Sequence, residues 1–349
     1  MPKTRDARSA VTLKDVAERV GITSSAASMA LADHARISSK TKAAVRQAAQ
    51  ELGYVPSSAG RALRNQRAGA VALIVPNTSQ HVFGHSYFMH VLTGVSDAAN
   101  AHDSQVIVST NSDAENGVAA YERVVRSRSA DGAIVTSSAV DDFHVEELVA
   151  SGLPVVLIGN FPYLPGSVSI GIDDVAATRT LTEHLIDVHG RRRLVHVTGP
   201  LDHQTGLDRR EGFLAAVRSR RLEDDAQIVR GEFNEESGAA AVVAALADDR
   251  EVDGIVFAND DMAFGGLQEL KRAGLRVPED ISIVGFDDFG LARVTTPGIT
   301  TIAVPAEEMA RRATERLFDL VEGRFDGPAH EELGVTFVPR RSCGCPETI

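Results

Sequence analysis

The 349-residue chain has two cysteines, no tryptophan and four tyrosines. Both cysteines, Cys343 and Cys345, stand beside the C-terminus with Gly344 between them. Two thiols do not complete the four positions of a structural zinc site within one chain, and they are no disulfide framework in a reducing compartment. A solvated tail is expected for them, with a redox pair or a site shared between subunits as the alternatives. No run approaches the roughly 20 apolar residues that span a bilayer. Lys3, Arg5 and Arg8 precede Thr12, Lys14 and Asp15, which stand where a secretion signal needs its apolar core, so a cytoplasmic protein is expected. A Gly-x-Gly-x-x-Gly turn, a phosphate-binding loop and a serine nucleophile elbow are all missing, and nothing assembles the chemistry of an enzyme.

Charge is abundant but unevenly spread. Lys and Arg outnumber Asp and Glu by 12 to 5 over residues 1–67, whereas the remainder carries 24 against 43. The net charge of −12 therefore hides a cationic head on an anionic body. A surplus confined to one small module points to a polyanion as the partner of that module alone. The length suits a small head plus one or two domains with their own cores.

In the head, Thr12 caps a first helix with Asp15 three residues on, and Leu13, Val16, Ala17 and Val20 form its apolar face. That helix should stop near Gly21. Thr23 caps a second, and Ser38 a third whose Ala44, Val45, Ala48 and Leu52 close the core. Two short helices around a glycine-containing turn have the spacing of a helix-turn-helix. A plain three-helix bundle shares that spacing, but Lys14, Arg19, Lys40, Lys42 and Arg46 favour DNA, since cations contact phosphates without reading bases. Base reading falls to the second helix, where Ser24, Ser25 and Ser28 offer hydroxyls and Ala26 a methyl, with Ala27, Ala30 and Leu31 on its buried side.

The stretches Val11-Thr-Leu-Lys-Asp-Val-Ala17, Gly21-Ile22, Ser28, Leu31 and Glu51-Leu-Gly-Tyr-Val-Pro56 resemble the lactose and purine repressor family of bacterial transcription regulators. The resemblance implies a DNA-binding head over 1–55 and a hinge helix with linker over 56–69. It places Ser24, Ser25 and Ala26 in the major groove and Ser28 on the backbone. Met29 departs from the family's common arginine and offers no strong donor, so the operator differs at that base or meets an apolar contact. Thr12, Ser57 and Gly60 complete the set expected at the DNA. In Ser57-Ser-Ala-Gly-Arg-Ala-Leu-Arg64, Ala59 and Gly60 permit close helix approach, and so short a helix is marginal alone. By resemblance Leu63 is the wedge between minor-groove base steps. A linker whose Leu63 packs on the body is the alternative.

From Ala70 onward, β-rich apolar runs alternate with helix-length segments. Strands are expected at 71–75, 105–108, 132–135 and 155–158, with helices at 87–101, 115–129 and 142–150. A second series places strands at 194–198, 227–230, 254–258 and 281–285, with helices at 174–188, 206–218, 236–247 and 262–273. The fold class is α/β: a helix-turn-helix head and hinge helix, then two doubly wound parallel-sheet lobes with a cleft at the carboxyl ends of their strands. The family resemblance extends here through Val284-Gly-Phe-Asp-Asp288, Ala258-Asn-Asp-Asp-Met-Ala263 and Arg209 followed by Gly212-Phe213. It implies lobes of periplasmic-binding-protein type with three crossings between them: 70–165 with 300–328, and 166–299 with 329–349. A last helix at 306–322 joins the first lobe and a strand at 336–338 the second.

By the same resemblance Arg209 and Asp260 grip a ligand, the arginine as a fork and the aspartate as an acceptor of hydroxyl hydrogens. Asp173 either shares that role or caps the next helix. Phe83 and Phe289 either wall the cleft against a sugar face or belong to the core. His81, His85 and His90 lack a carboxylate or thiolate to complete a metal site, so no metal and no other cofactor is expected. The implied partners are palindromic operator DNA, a sugar or related small polar effector, and a second copy in a homodimer; no membrane is involved. Inducer and corepressor are not distinguished. A solute binder without transcriptional function leaves the cationic head unexplained, and a DNA-associated sugar-processing enzyme requires a poised acid or base in the cleft.

Overall fold

The computed structural model describes residues 11–54, 67–112, 119–247 and 251–346, and the chain divides into two compact units, Met1–Ala68 and Gly69–Ile349. Ser57, Gly60 and Leu63 of the expected hinge lie outside the described residues.

The first unit holds α1 (Leu13–Val20), α2 (Ser24–Leu31) and α3 (Ser39–Leu52). Each begins where a short polar side chain meets otherwise unpaired backbone groups. The Asp15 carboxylate accepts from the Thr12 N–H at 2.7 Å and from its hydroxyl at 2.8 Å. Thr23 Oγ1 accepts from the Ala26 N–H at 3.2 Å, and Ser38 Oγ from the Thr41 N–H at 3.2 Å. The core is small and alanine-rich: Val16, Ala17, Ala27, Ala30, Val45, Ala48 and Ala49. Ala44, expected in this core, is exposed. The phase set by Val45 and Ala48 turns position 44 outward and brings Ala49 in.

The second unit runs β1 (Ala70–Thr78), α4 (Ser79–Gly84), α5 (Ser86–Ala101), β2 (Gln105–Asn111), α6 (Ala119–Ser127), β3 (Gly132–Thr136), α7 (Phe143–Ala150), β4 (Val155–Ile158) and β5 (Val168–Gly171). It continues with α8 (Asp174–Asp187), β6 (Leu194–Thr198), α9 (Gln204–Ser219), β7 (Gln227–Arg230), α10 (Glu235–Ala247), β8 (Gly254–Phe257), α11 (Asp260–Arg272), β9 (Ser282–Val284) and α12 (Leu291–Val294). β10 (Thr301–Ala303), α13 (Ala306–Val321), β11 (His330–Glu332) and β12 (Thr336–Val338) follow. Two parallel sheets result, ordered β11-β5-β4-β3-β1-β2 and β7-β6-β8-β9. Val71, Leu73 and Val75 on one face of β1 and Ala72 and Ile74 on the other are all buried, the unbroken apolar run of a strand covered on both faces. A two-stranded antiparallel pair, β10 with β12, joins Thr301 to Val338 and Ala303 to Thr336. α13 packs on α5 and on the first sheet.

The lobe boundaries differ from those expected at 165 and 329. Val168–Gly171 pairs with β4, and His330–Glu332 pairs with β5, so both belong to the first sheet. Each is only three or four residues long. β11 reads His-Glu-Glu, a polar sequence that guards a sheet edge and looks like a loop. The solvated-tail expectation is also overturned: Cys343 is fully buried and Cys345 partly so. Among the described residues no helix is long and apolar enough to cross a membrane.

Candidate functional site

Parallel strands aim their carboxyl ends at one rim, and the loops that leave those ends line a cleft between the two lobes. Thr136 ends β3, Ile158 ends β4, and Ile172 follows β5; opposite them, Asn259 follows β8 and Asp287 follows β9. The cleft holds about 120 Å³ of solvent-sized space, room for several waters at a liquid share of about 30 Å³ each.

Arg209, on α9, is the charged centre of this wall and is 6% exposed. Its Nε donates to Asp174 Oδ1 at 2.8 Å and its Nη1 to the Ala258 carbonyl, with Asp287 Oδ1 at 3.5 Å. The guanidinium lies 3.7 Å from the centre of the Phe286 ring, a desolvated cation over an aromatic face. Nη2 makes no hydrogen bond among the described residues. Burial raises the Asp174 carboxyl, and Arg209 only partly offsets it. Burial pushes Asp287 up to about 7 despite Arg209, with Asp261 and Asp174 adding to the rise. One cation thus faces two buried carboxylates, and a third, Asp260, lies behind them.

The opposite wall is histidine-rich and aromatic. His85 Nε2 lies 3.1 Å from the Phe233 carbonyl, 3.3 Å from Asn259 Nδ2 and 3.3 Å from Asp261 Oδ2, linking the first lobe to the second. Asn259 Nδ2 donates to the same Phe233 carbonyl at 3.1 Å. Burial lowers His81, holding its ring neutral, and pushes Tyr87, whose hydroxyl meets Thr136 at 3.1 Å, up to about 12. Phe88, Phe161 and Tyr163 supply apolar surface on this side, and Phe233 supplies it on the side of Arg209.

Of the five residues the sequence proposed for the ligand, Arg209 lines the cleft and the other four do not. Asp173 is exposed and caps α8, its Oδ1 accepting from the Ala176 N–H at 2.8 Å, while Asp174 turns inward to Arg209. Asp260 sits under the wall: its N–H donates to the Phe286 carbonyl at 2.8 Å and its Oδ2 accepts from the Asp288 N–H at 2.7 Å. Burial and the Asp287 charge hold its carboxyl well above the usual range. Phe83 is 56% exposed on α4. Phe289 stacks on His90 at 4.6 Å, outside the cleft lining. His81 and His85 line the cleft, whereas His90 instead meets Glu307 at 2.6 Å.

On the head, α2 carries no charged side chain. Ser24 and Ser25 are exposed, and Ala26, Ser28 and Met29 are half-buried. Thr12 is exposed but its hydroxyl is engaged by Asp15. Of the flanking cations, Lys42 and Arg46 both meet Asp33 at 3.1 Å, and Arg19 meets Glu51 at 3.5 Å. These pairs tie Lys42 and Arg46 to a carboxylate just past the end of α2, whose own side chains are uncharged, and Arg19 to one on α3.

A helix-turn-helix unit in one chain with a two-lobed α/β body built around a polar cleft defines a ligand-responsive DNA-binding regulator. The family model for bacterial regulatory proteins of the lacI family matches residues 12–57, and that for a periplasmic binding protein-like domain matches 182–343. The HTH-type transcriptional regulator CelR of Thermobifida fusca is 31% identical over 337 residues, 95% of this chain and 98% of its own length. The structure of a transcriptional regulator CelR–cellobiose complex matches with a TM-score of 0.73 at 29% identity, over 95% of this chain and 99% of the other. The lac repressor dimer bound to operator and the anti-inducer ONPF shares the fold, with a TM-score of 0.84 at 24% identity over 96% and 99% of the two chains. The chain belongs to the lacI family; it is a ligand-responsive helix-turn-helix transcriptional regulator rather than an enzyme.

Proposed function

We propose that the chain is a homodimeric repressor of a near-palindromic operator on the chromosome, controlled by a neutral polyhydroxylated solute such as a sugar or glycoside. The observation that carries the ligand class is the charge balance around Arg209. Its guanidinium is already shared by Asp174 and Asp287, so a phosphate or carboxylate on the solute finds that cation committed and carboxyl oxygens beside it. Sugar hydroxyls supply the hydrogens that buried carboxylates accept. Arg209 Nη2 and Asn259 add donors, and Phe233 and Phe161 add apolar surface for a ring face. The cellobiose in the CelR complex is a solute of this class.

Ser24, Ser25, Ala26, Ser28 and Met29 read the major groove in this proposal, with Thr12 at its edge. Ser57, Gly60 and Leu63 meet the central minor groove as paired hinge helices. The solute shifts operator affinity only through its differential affinity for the DNA-competent and incompetent states.

A thermal-shift screen of the full chain against neutral sugars and glycosides, beside sugar phosphates and sugar acids, tests the ligand class. A neutral sugar that raises the melting temperature should also change binding to an operator selected from random duplexes, and should be recovered unconsumed. A response confined to the anionic solutes refutes the charge argument. Leu63→Ala should weaken operator binding more than random-duplex binding, because it removes a wedge and no charge; equal losses contradict that role.

A further inference from the structure

The C-terminal cysteines meet two histidines from the end of α8. His184, His189, Cys343 and Cys345 place one ligand atom each within 4.8 Å of one another. His184 Nε2 stands 3.4 Å from both sulfurs, His189 Nε2 stands 3.5 Å from Cys345 Sγ, and the two nitrogens are 3.1 Å apart. Around a tetrahedral zinc ion, with nitrogen at about 2.0–2.1 Å and sulfur at about 2.3 Å, the nitrogen–nitrogen edge is roughly 3.3 Å and the nitrogen–sulfur edge roughly 3.5 Å. These four edges fall within a few tenths of an ångström of those values, and the remaining two are no longer than 4.8 Å.

We propose that His184, His189, Cys343 and Cys345 bind one Zn²⁺ per chain as a structural clip that fastens the C-terminal segment to α8. Two thiolates and two imidazoles in a tetrahedron are the donor set that selects this ion. Four protein ligands close the coordination shell, so the site is structural rather than catalytic. It replaces the expectation that two thiols in one chain lack the partners for zinc: His184 and His189 supply them from 154 or more residues away in sequence, as Cys343 follows His189 by that interval.

The frame around the cluster is built without the ion. Ser342 Oγ donates to the Ile283 carbonyl at 2.6 Å and accepts from the Thr300 N–H at 2.9 Å, while Ser282 Oγ donates to the Cys343 carbonyl at 2.9 Å. These bonds hold the Cys-Gly-Cys turn beneath β9. The Thr300 hydroxyl lies 3.0 Å from Cys343 Sγ and 2.8 Å from the Arg340 carbonyl, so its one hydrogen has both as acceptors within reach. Gly344 has φ of +113°, and a Cβ there would come within 2.9 Å of the His189 ring, so glycine is what lets the ring stand against the Cys-Gly-Cys turn. Cys343 is fully buried, while the other three are partly accessible and give an ion its way in.

Zinc should be counted in full-length protein purified with reductant and without chelator, and Zn²⁺ and Co²⁺ titrated into the chelator-stripped chain. One zinc per chain is expected, and Co²⁺ should give a thiolate-to-metal charge-transfer band with the strong visible bands of a tetrahedral site. Cys345→Ser and His189→Ala should each weaken Zn²⁺ binding beyond the roughly 100-fold upper end seen for outer-sphere partners, with the far-ultraviolet circular dichroism unchanged. Zinc should raise the melting temperature of the parent chain and not that of either variant. A Cys343–Cys345 disulfide in the reductant-purified chain, a Co²⁺ spectrum without the thiolate band, or equal zinc content in parent and variants overturns the proposal. Where a variant does not fold, the Co²⁺ spectrum of the parent chain decides alone.

Discussion

Arg209→Ala separates the electrostatic argument from simple loss of packing, because its cost should depend on pH. Removing one partner of a buried ion pair costs roughly 3–5 kcal/mol when the other charge stays buried. Asp174 and Asp287 have an escape, since protonation removes the charge, and both carboxyls are already raised by burial. A carboxyl raised in the folded state from 3.8 to about 7, as for Asp287, adds stability that is full below its unfolded value and is lost as pH climbs through the folded one. In the parent chain that loss is nearly complete a little above pH 7. Arg209 holds both carboxyls down; without it their folded values climb, so the variant goes on losing stability above pH 7. The slope is up to about 1.4 kcal/mol per pH unit for each carboxyl. At pH 5, with Asp287 protonated in both proteins, the deficit should shrink to about 1–2 kcal/mol, the scale of the lost contact with Phe286. Urea denaturation followed by circular dichroism from pH 5 to 8.5, at fixed protein and metal concentration, measures the difference. Arg209→Ala combined with Asp174→Asn should recover part of the loss at pH 8 and little at pH 5, a coupling read by a double-mutant cycle. Parallel stability curves for parent and Arg209→Ala across this range refute the reasoning.

Three further outcomes follow from the cleft. If a solute hydroxyl donates to ionised Asp287, affinity should fall about tenfold between pH 8 and pH 6, because the carboxyl titrates near 7; Asp287→Asn should flatten that profile in calorimetric titrations, and an unchanged profile excludes Asp287 as its source. His85→Ala removes a side chain that reaches Phe233, Asn259 and Asp261 across the lobes, so solute affinity should drop roughly tenfold, the equivalent of about 1–2 kcal/mol, without loss of secondary structure; an unaltered dissociation constant rules out a closing role. Gly285→Ala would set a Cβ 2.1 Å from Asp260 Oδ1, and since that carboxylate is buried and tied to the Asp288 N–H, a loss of about 1–3 kcal/mol is expected in denaturation; parent-like stability means the carboxylate swings away freely.

What the sequence made legible, and what it hid, divides by the range over which the physics acts. The helices of the head are set by neighbours within four residues, and Thr12, Thr23 and Ser38 cap them where local chemistry dictates. The unbroken aliphatic runs of β1, β3 and β4 announce themselves for the same reason, whereas β5 and β11 exist only because a sheet edge is there to receive them. In the cleft, one-residue ambiguities decided the outcome. Asp173 and Asp174 are adjacent carboxylates, and only the start of α8 determines which one caps the helix and which turns to Arg209. Asn259 and Asp260 divide in the same way at α11: Asn259 caps it, with Oδ1 accepting from the Met262 N–H at 3.0 Å, and still presents Nδ2 to the cleft, while Asp260 is drawn beneath by the Asp288 N–H. Asp287 had a visible signal, the first of two adjacent carboxylates just after the strand and its glycine, but its approach to Arg209 joins residues 78 apart. The cysteines lie at the far end of this scale. Nothing near Cys343 in the chain distinguishes a solvated tail from a ligand, because its burial arises from β9 and α8, and two histidines become its neighbours only when the parallel sheet brings the end of α8 beside the last turn.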